Sequence, residues 1–360
     1  MLRLLVYLSK RFLGIWLGVV FGFLILIGLL DSLANGADIV GEDGSFADTF
    51  RYMALRAPVI FDRIFVFTFV VAILLVFVQL IRNHELVALL GFGISVPKQV
   101  ALLVPVVFLA SVVSVLAIDT LTPPAVRSLQ AWGIGEYKQS TFTEEDPLRL
   151  DDGNRIVIAS DRPDFNTLGD LQIFSLTETG GQIKTAIWAE TARFLGDAWE
   201  LNGVRTLDIM GADGETRLSE IQAGPSIWRT SQTPESIARL AAEPRDLSLS
   251  DMNTFRMDGN SGNRPRSAYS FWHSHRLTRP IAILILLVGG AAIMQRVGRQ
   301  DTGDKALITG IALGFLFLIV DGAMATFAAS GAIPPLYAIT MPLVVFGLLG
   351  GWLLLRTESL

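Results

Sequence analysis

The sequence predicts a polytopic α-helical membrane protein with six transmembrane helices, three on each side of an inserted β domain. Apolar residues make up 51% of the 360 residues and charged residues only 18%, and the mean hydropathy is +0.49. Several stretches with little or no charge are long enough to cross a hydrocarbon core of about 30 Å. Between the third and fourth stretches, short alternating runs separated by turn residues indicate β-strands.

Six segments have the length and composition of membrane spans. They are Phe12–Leu30, Ile64–Ile81, Gln99–Ile118, Leu277–Met294, Ala306–Ala328 and Leu336–Leu355. Basic residues precede the first segment, as they do in a signal peptide. Its apolar run exceeds the roughly 7–15 residues of a signal core, and no small-x-small cleavage site follows it. We therefore expect it to remain as a membrane anchor.

The distribution of Lys and Arg between short loops predicts the orientation. The first eleven residues hold Arg3, Lys10 and Arg11 without an acid, and the loop Gln295–Lys305 is also basic, whereas Ser330–Pro335 has no charge. Both termini are therefore expected in the cytoplasm. The predicted organisation is residues 1–118 with the first three spans, 119–276 outside the membrane, and 277–360 with the last three spans.

The external segment has the pattern of a sandwich or jelly-roll-like sheet rather than of βαβ units. Strands are expected at Arg155–Ser160, Leu171–Leu176, Ile183–Phe194 and Val204–Met210. Turn signals separate them at residues 152–154, 180–181, 202–203 and 213–214. Thr122-Pro123-Pro124 is typical of a helix start, with an amphipathic stretch to about Gln139. The polar segment Gly259–Arg266 is expected to be a flexible connector.

Several classes of function are disfavoured or excluded. The chain has no cysteine, which excludes disulfides and thiolate chemistry, and it has no basic face for nucleic acid. It contains no P-loop motif for ATP and no obvious catalytic constellation. His273 and His275 have no third ligand nearby in sequence, so an interfacial position is favoured over a metal site. Neither a metal nor an organic cofactor is expected.

Two groups of glycines repeat at intervals of four residues within predicted spans. Gly14, Gly18 and Gly22 share one face of the first span, and Gly310 and Gly314 share a face of the fifth. Small residues at this spacing allow two helices to approach closely. The partner helix could belong to the same chain or to another subunit, and the spacing fits both.

Asp321 lies within the fifth span, where an ionisable side chain is costly and is by default a candidate functional residue. The alternative is a structural role nearer the outer interface. No basic residue in a span is an obvious partner for Asp321. A proton relay requires a second buried titratable group, so coupled secondary transport is disfavoured.

The loop after the second span contains a short amphipathic segment at about residues 82–97. Arg82 and Glu85 supply charges, and glycines at 91 and 93 end the pattern. A Leu/Val/Leu face that includes Leu86, Val87 and Leu89 supplies the apolar side. Such a helix could lie on the membrane surface or dock into a groove of a soluble partner.

The order of several weak motifs resembles the lipopolysaccharide export permease family, LptF and LptG. Glu85-Leu86-Val87 followed by Gly91-Phe92-Gly93 is similar to the family's coupling-helix region. The similarity continues through the external segment and the last spans, with the LptG branch favoured by the tryptophan–threonine segment and the Ile-Pro-Pro turn. These motifs are Ala189–Phe194 with Trp199, Trp228–Thr230, Thr233-Pro234, Leu247–Ser250, Trp272, Pro280 and Gly331–Pro335.

The resemblance implies a non-catalytic permease subunit of the Gram-negative inner membrane that extracts lipopolysaccharide. Its implied partners are an LptF-like permease, an LptB-like ATPase dimer, and LptC-like and LptA-like periplasmic proteins. Glu85, with Arg82, Leu86 and Leu89, would contact the ATPase. The lipid cavity and gates would involve Gly14, Gly18, Gly22, Asp31, Gly314 and Asp321. Family members can carry a lysine near the outer end of the first span. None stands there in this chain, so Arg51, Arg56 or Arg63 would meet the headgroup instead.

Two other functions fit the sequence less well. In the first, the chain is a membrane-anchored scaffold whose external domain binds proteins, but six spans with an intramembrane acid exceed what an anchor needs. In the second, it is an ion-coupled carrier, which the absence of paired intramembrane charges and of an inverted repeat disfavours.

Overall fold

A computed structural model describes residues 2–40, 45–134, 137, 147–151, 155–177, 183–210, 216–222, 224, 226–258, 264–298 and 304–358. Within these ranges, six helices are long and apolar enough to cross a membrane. An antiparallel sheet separates the third of them from the fourth. The predicted fold class, with three spans on each side of an inserted β domain, is confirmed.

The membrane helices are longer than the apolar runs that predicted them. At about 1.5 Å per residue, a helix of 33 residues is about 50 Å long and exceeds the hydrocarbon thickness, so its polar ends extend beyond it. The spanning helices are α1 (Leu2–Ala34), α3 (Phe46–Arg82), α5 (Val96–Trp132), α8 (Arg266–Gly298), α9 (Asp304–Ala329) and α10 (Pro335–Glu358). Two short helices, α2 (Gly36–Val40) and α4 (Glu85–Gly91), lie between them in sequence.

The predicted helix start at Thr122-Pro123-Pro124 is wrong, because α5 continues through both prolines to Trp132. Proline fixes φ near −65°, which is a helical value, but it lacks an amide donor and its ring crowds the carbonyl of residue i−4. Membrane proteins tolerate this loss where neighbouring groups satisfy the freed carbonyls. Most of the predicted turns, residues 135, 136, 138 and 139 of the predicted amphipathic stretch and residues 259–263 of the predicted connector lie outside the described residues.

The chain divides into two compact units. The first comprises residues 1–34, 56–122 and 267–360, and the second comprises residues 35–55 and 123–266. In the first unit, 67% of the most apolar 18-residue stretch of α3 and of α8 is buried inside the protein, against 17% of the corresponding stretch of α1 and of α9. Aromatic side chains of α1 and α3, including Trp16 and Phe69 with ring centroids 4.9 Å apart, fill its core.

The sheet of the second unit is an antiparallel meander whose fourth strand pairs with the third along one edge and with two strands along the other. Its described strands are β1 (Leu148–Asp151), β2 (Arg155–Asp164), β3 (Thr167–Leu176), β4 (Ile183–Phe194), β5 (Trp199–Asn202), β6 (Arg205–Met210), β7 (Thr216–Gln222) and β8 (Ser226–Trp228). The first half of β4 pairs with β6 and the second half with β5. Beyond them β7 joins β6 and β8 joins β5, so the sheet divides into two arms at β4.

Two helices follow the sheet in sequence, α6 (Pro234–Ala241) and α7 (Leu249–Asp258). A capping box between Thr233 and Ser236 begins α6. The buried Arg162 guanidinium donates to the carbonyl oxygens of Phe165, at 2.8 Å, and Pro234, at 3.2 Å. Burial lowers the Arg162 pKa to about 10, because its charged form is separated from water. These hydrogen bonds join the β2–β3 hairpin to the start of α6.

Candidate functional site

The loop between α3 and α5 presents α4 as a separate helix of about two turns. His84 precedes it in the left-handed conformation, with φ of 57°. Gly93, with φ of +74°, follows it. A side chain is strained at positive φ and glycine is not, so Gly93 allows the chain to turn sharply from α4 toward α5.

The two faces of α4 have different environments. Leu86 is only 4% exposed and belongs to the core of the first unit. Val87 and Phe92, in contrast, are 66% and 83% exposed, and Leu89 is half-buried. Of the two apolar residues that the sequence selected for partner contact, Leu86 therefore holds α4 in place. The exposed apolar surface instead includes Val87 and Phe92. The sequence placed Val87 on the apolar face of this helix, but neither residue was among those expected to contact the ATPase.

The Glu85 carboxylate is held by three side chains of the same chain. Arg11 Nη1 lies 2.8 Å from both carboxylate oxygens. The Tyr7 hydroxyl donates to Oε2 at 3.0 Å, and Asn83 Nδ2 donates to Oε1 at 3.1 Å. Partial burial alone would raise the pKa of Glu85, but these hydrogen bonds outweigh it and lower the pKa below its ordinary value. Glu85 is therefore ionised at neutral pH.

Arg11 extends this contact from α4 to the end of α3. Its Nε donates to Gln79 Oε1 at 3.0 Å, and its Nη1 also donates to the Tyr7 hydroxyl at 2.8 Å. One guanidinium of α1 thus contacts α3 and α4 together. Arg82, the remaining residue selected in this loop, is exposed on the last turn of α3.

The two glycine groups differ in what they face. A Cβ added at Gly14, Gly18 or Gly22 would meet nothing within 4 Å. A Cβ at Gly314 would lie 2.6 Å from Val70 Cγ1, and one at Gly310 would overlap the Leu74 side chain. The glycines of α9 thus allow close packing on α3 within the chain, while the α1 glycine face is open.

Aspartate–arginine pairs connect helices of the first unit. Arg56 of α3 donates to Asp31 of α1 at 2.8 Å, so two of the selected gate residues bind each other. Arg63 is exposed. Two further pairs, Arg276–Asp119 at 2.9 Å and Arg279–Asp62, join α8 to α5 and to α3. The sequence did not reveal these pairs, because their members are 157 and 217 positions apart.

Asp321 has a partner within the membrane unit that was not obvious from the sequence. His275 Nε2 of α8 lies 3.0 and 3.1 Å from the two Asp321 oxygens. The His275 ring stacks on Phe271 at 5.1 Å. The predicted span began at Leu277 and left His275 outside, whereas α8 begins at Arg266. Among the described residues, no three His, Asp or Glu side chains converge as metal ligands would.

A family model described as "Lipopolysaccharide export system permease LptF/LptG" matches residues 6–356 of the chain. The chain belongs to this LptF/LptG family. It is 23% identical to the lipopolysaccharide export system permease protein LptG of Escherichia coli K12 over 284 residues, which is 77% of each protein. It is 25% identical to LptG of Haemophilus influenzae Rd over 216 residues, covering 58% of this chain and 57% of that protein.

Membership in the LptF/LptG family confirms the resemblance carried by the ordered motifs. The six apolar helices and the inserted sheet agree with a multi-pass inner-membrane permease of this family. The match spans both helical segments as well as the sheet. It therefore favours the permease interpretation over that of an anchored scaffold.

Proposed function

We propose that the chain is the LptG-type permease half of an ATP-driven lipopolysaccharide extractor, paired with an LptF-like permease. The observation that carries the proposal is α4, a short helix between two spans with an exposed apolar surface. Such a surface suits the groove of a soluble partner. The family resemblance implies that this partner is an LptB-like ATPase dimer, which would supply the hydrolysis that this subunit does not perform.

The ATPase contact would be made by the exposed side of α4. In most interfaces a few well-packed side chains supply most of the binding energy. Val87 and Phe92 are exposed apolar side chains that a pocket of the partner would enclose. Leu89 borders them, and Arg82 provides a charge at the edge. Glu85 would contribute mainly by fixing α4 in its orientation, because hydrogen bonds within the chain already hold its carboxylate.

The lipid would enter beside α1. The open face of Gly14, Gly18 and Gly22 admits close approach by a helix of the second permease or by an acyl chain. At the outer end of α1, the Asp31–Arg56 pair and the exposed Arg63 would face the lipid headgroup. In α9, Gly314 and Asp321 would act indirectly, by fixing this helix against α3 and α8.

The β domain would receive the lipid and pass it to LptC-like and LptA-like periplasmic proteins. This assignment places the sheet in the periplasm and both termini in the cytoplasm, in agreement with the density of Lys and Arg in the short loops. In this proposal the acyl chains would lie between the two arms into which the sheet divides.

The test is co-expression with candidate LptF-like and LptB-like subunits, purification in detergent, and reconstitution with lipopolysaccharide. We expect the ATPase to co-purify and its ATP hydrolysis to depend on the lipid. Val87→Asp should abolish co-purification, because a charge would enter an apolar contact. Leu195→Asp, at an exposed position of the β4–β5 turn, is the matched control and should retain the ATPase. Failure of the ATPase to bind the wild-type chain would contradict the proposal.

A further inference from the structure

The cytoplasmic end of α1 is attached to α4 by a specific polar cluster. Arg11 lies 74 positions before Glu85 and reaches both of its carboxylate oxygens at 2.8 Å. Tyr7, one turn earlier on α1, donates to the same carboxylate. A guanidinium bound to a carboxylate gives shorter and stronger hydrogen bonds than a neutral pair. The two helices are therefore joined at a defined point.

A less specific explanation is that Arg11 extends to the headgroup region, as basic residues at helix ends commonly do. The neighbouring Lys10 is exposed and fits that description. The Arg11 side chain, however, is only 12% exposed, and its donors are directed to Glu85, Tyr7 and Gln79. Its geometry is that of a contact within the protein.

The position of this attachment matters because α1 is one of the least buried spans. Only 17% of its most apolar 18-residue stretch is buried inside the protein. Within the described part of the chain, no other element places an atom within 4 Å of a Cβ added to its glycine face. In contrast, α4 packs against the core of the unit through the buried Leu86. Because Arg11 and Tyr7 bind Glu85 at the start of α4, a displacement of α4 would be transmitted to the cytoplasmic end of α1.

We propose that Arg11 is a positioning residue that transmits movement of α4 to α1, so that ATPase closure shifts the open glycine face. The inference rests on the proposed function. It assigns Glu85 a role inside the permease, since its carboxylate already accepts hydrogen bonds from Arg11, Tyr7 and Asn83. The contact with the ATPase then depends on the apolar residues of α4.

Charge exchange in the reconstituted complex tests this role. The measured quantity is lipopolysaccharide released per ATP hydrolysed, for Arg11→Glu, for Glu85→Arg and for the double variant. Each single variant should lower the ratio about tenfold, the factor that corresponds to one lost charge-assisted hydrogen bond. The double variant should recover most of the ratio. Lys10→Glu is the matched control and should leave the ratio unchanged.

Restoration by the double variant separates a contact within the chain from a contact between Glu85 and the ATPase. If Arg11→Glu behaves as wild type, or if the double variant is as defective as Glu85→Arg, the inference is overturned. If the wild-type complex neither binds the ATPase nor releases lipid, the proposed function fails instead. The two failures are therefore distinguishable.

A covalent replacement of the ion pair covers the case in which the charged variants fold poorly. The chain has no cysteine, so Arg11→Cys with Glu85→Cys can be joined selectively by a short bis-methanethiosulfonate linker. Linking should raise the release ratio of this double-cysteine variant, and reduction of the linker should lower it again. A linked complex that remains uncoupled would also overturn the inference.

Discussion

Arg56, Arg276 and Arg279 are the buried arginines among the described membrane-unit residues, and each contacts an aspartate. A charge in a low-dielectric interior loses much of its hydration energy, and attraction to a partner offsets that loss. Two of these pairs join α8 to α3 and to α5. At the residue scale, the membrane unit thus depends on complete pairs more than on any single charge.

The Asp62–Arg279 pair allows this dependence to be measured. Asp62 is 2% exposed and Arg279 is 4% exposed. Asp62→Asn should lower the free energy of unfolding by about 3–5 kcal/mol, because it leaves a buried guanidinium without its counter-charge. Chemical denaturation of the purified chain in detergent would measure the change.

Two variants complete this test. Asp170→Asn makes the same chemical change at an exposed position with φ of 47°, which asparagine tolerates, and should be neutral. Replacing both partners, Asp62→Leu with Arg279→Leu, should recover much of the stability. If Asp62→Asn were as stable as Asp170→Asn, the pair would not stabilise the contact between α3 and α8.

At the scale of elements, helix packing depends on individual glycines, and α10 holds two in succession. A Cβ at Gly350 would lie 3.2 Å from the Cα and N atoms of Gly289 in α8, whereas one at Gly351 would meet nothing within 4 Å. Backbone atoms cannot rotate away as a side chain can. Close approach of α8 and α10 therefore requires Gly350 and not its neighbour.

Alanine substitution at these adjacent positions should lower the stability of the chain at Gly350 and leave it nearly unchanged at Gly351. Gly350→Ala should destabilise the chain by about 1–3 kcal/mol, because the methyl group forces the two backbones apart. Gly351→Ala should change stability by no more than about 1 kcal/mol, the difference in helix preference between alanine and glycine. Thermal unfolding of the two variants in the same detergent provides the comparison. Equal melting temperatures would contradict the close helix crossing.

The sequence was sufficient for elements defined by local pattern. Apolar runs located all six spans, and the strand predicted at Ile183–Phe194 has those bounds in the structure. It was insufficient where contacts between residues far apart in sequence determine the position or burial of a side chain. His275 was assigned to the boundary because helical periodicity does not show that α8 begins at Arg266. Leu86 and Leu89 looked equivalent because the pattern of one short helix does not tell which face its neighbours cover.

At the scale of the whole molecule, the insertion of the sheet between two sets of three spans fixes a relation among the loops. An odd number of spans separates the N-terminus from the sheet, so the two lie on opposite sides of the membrane. A further even number of spans, α8 and α9, separates the sheet from the turn at Ser330, so those two share a side. Once an experiment shows on which side of the membrane one of these three segments lies, the sides of the other two follow.

Cysteine labelling should reveal this relation, because the wild-type chain has no cysteine to give background. Single substitutions at the exposed residues Arg3, Lys184 and Ser330 would report the N-terminus, the sheet and the α9–α10 turn. A membrane-impermeant maleimide applied to spheroplasts should label Lys184→Cys and Ser330→Cys at once. It should label Arg3→Cys only after detergent is added, because the positive-inside rule predicts a cytoplasmic position for the basic N-terminal segment. Labelling of Arg3→Cys in intact spheroplasts would reverse the orientation and place the exposed face of α4 away from any cytoplasmic ATPase.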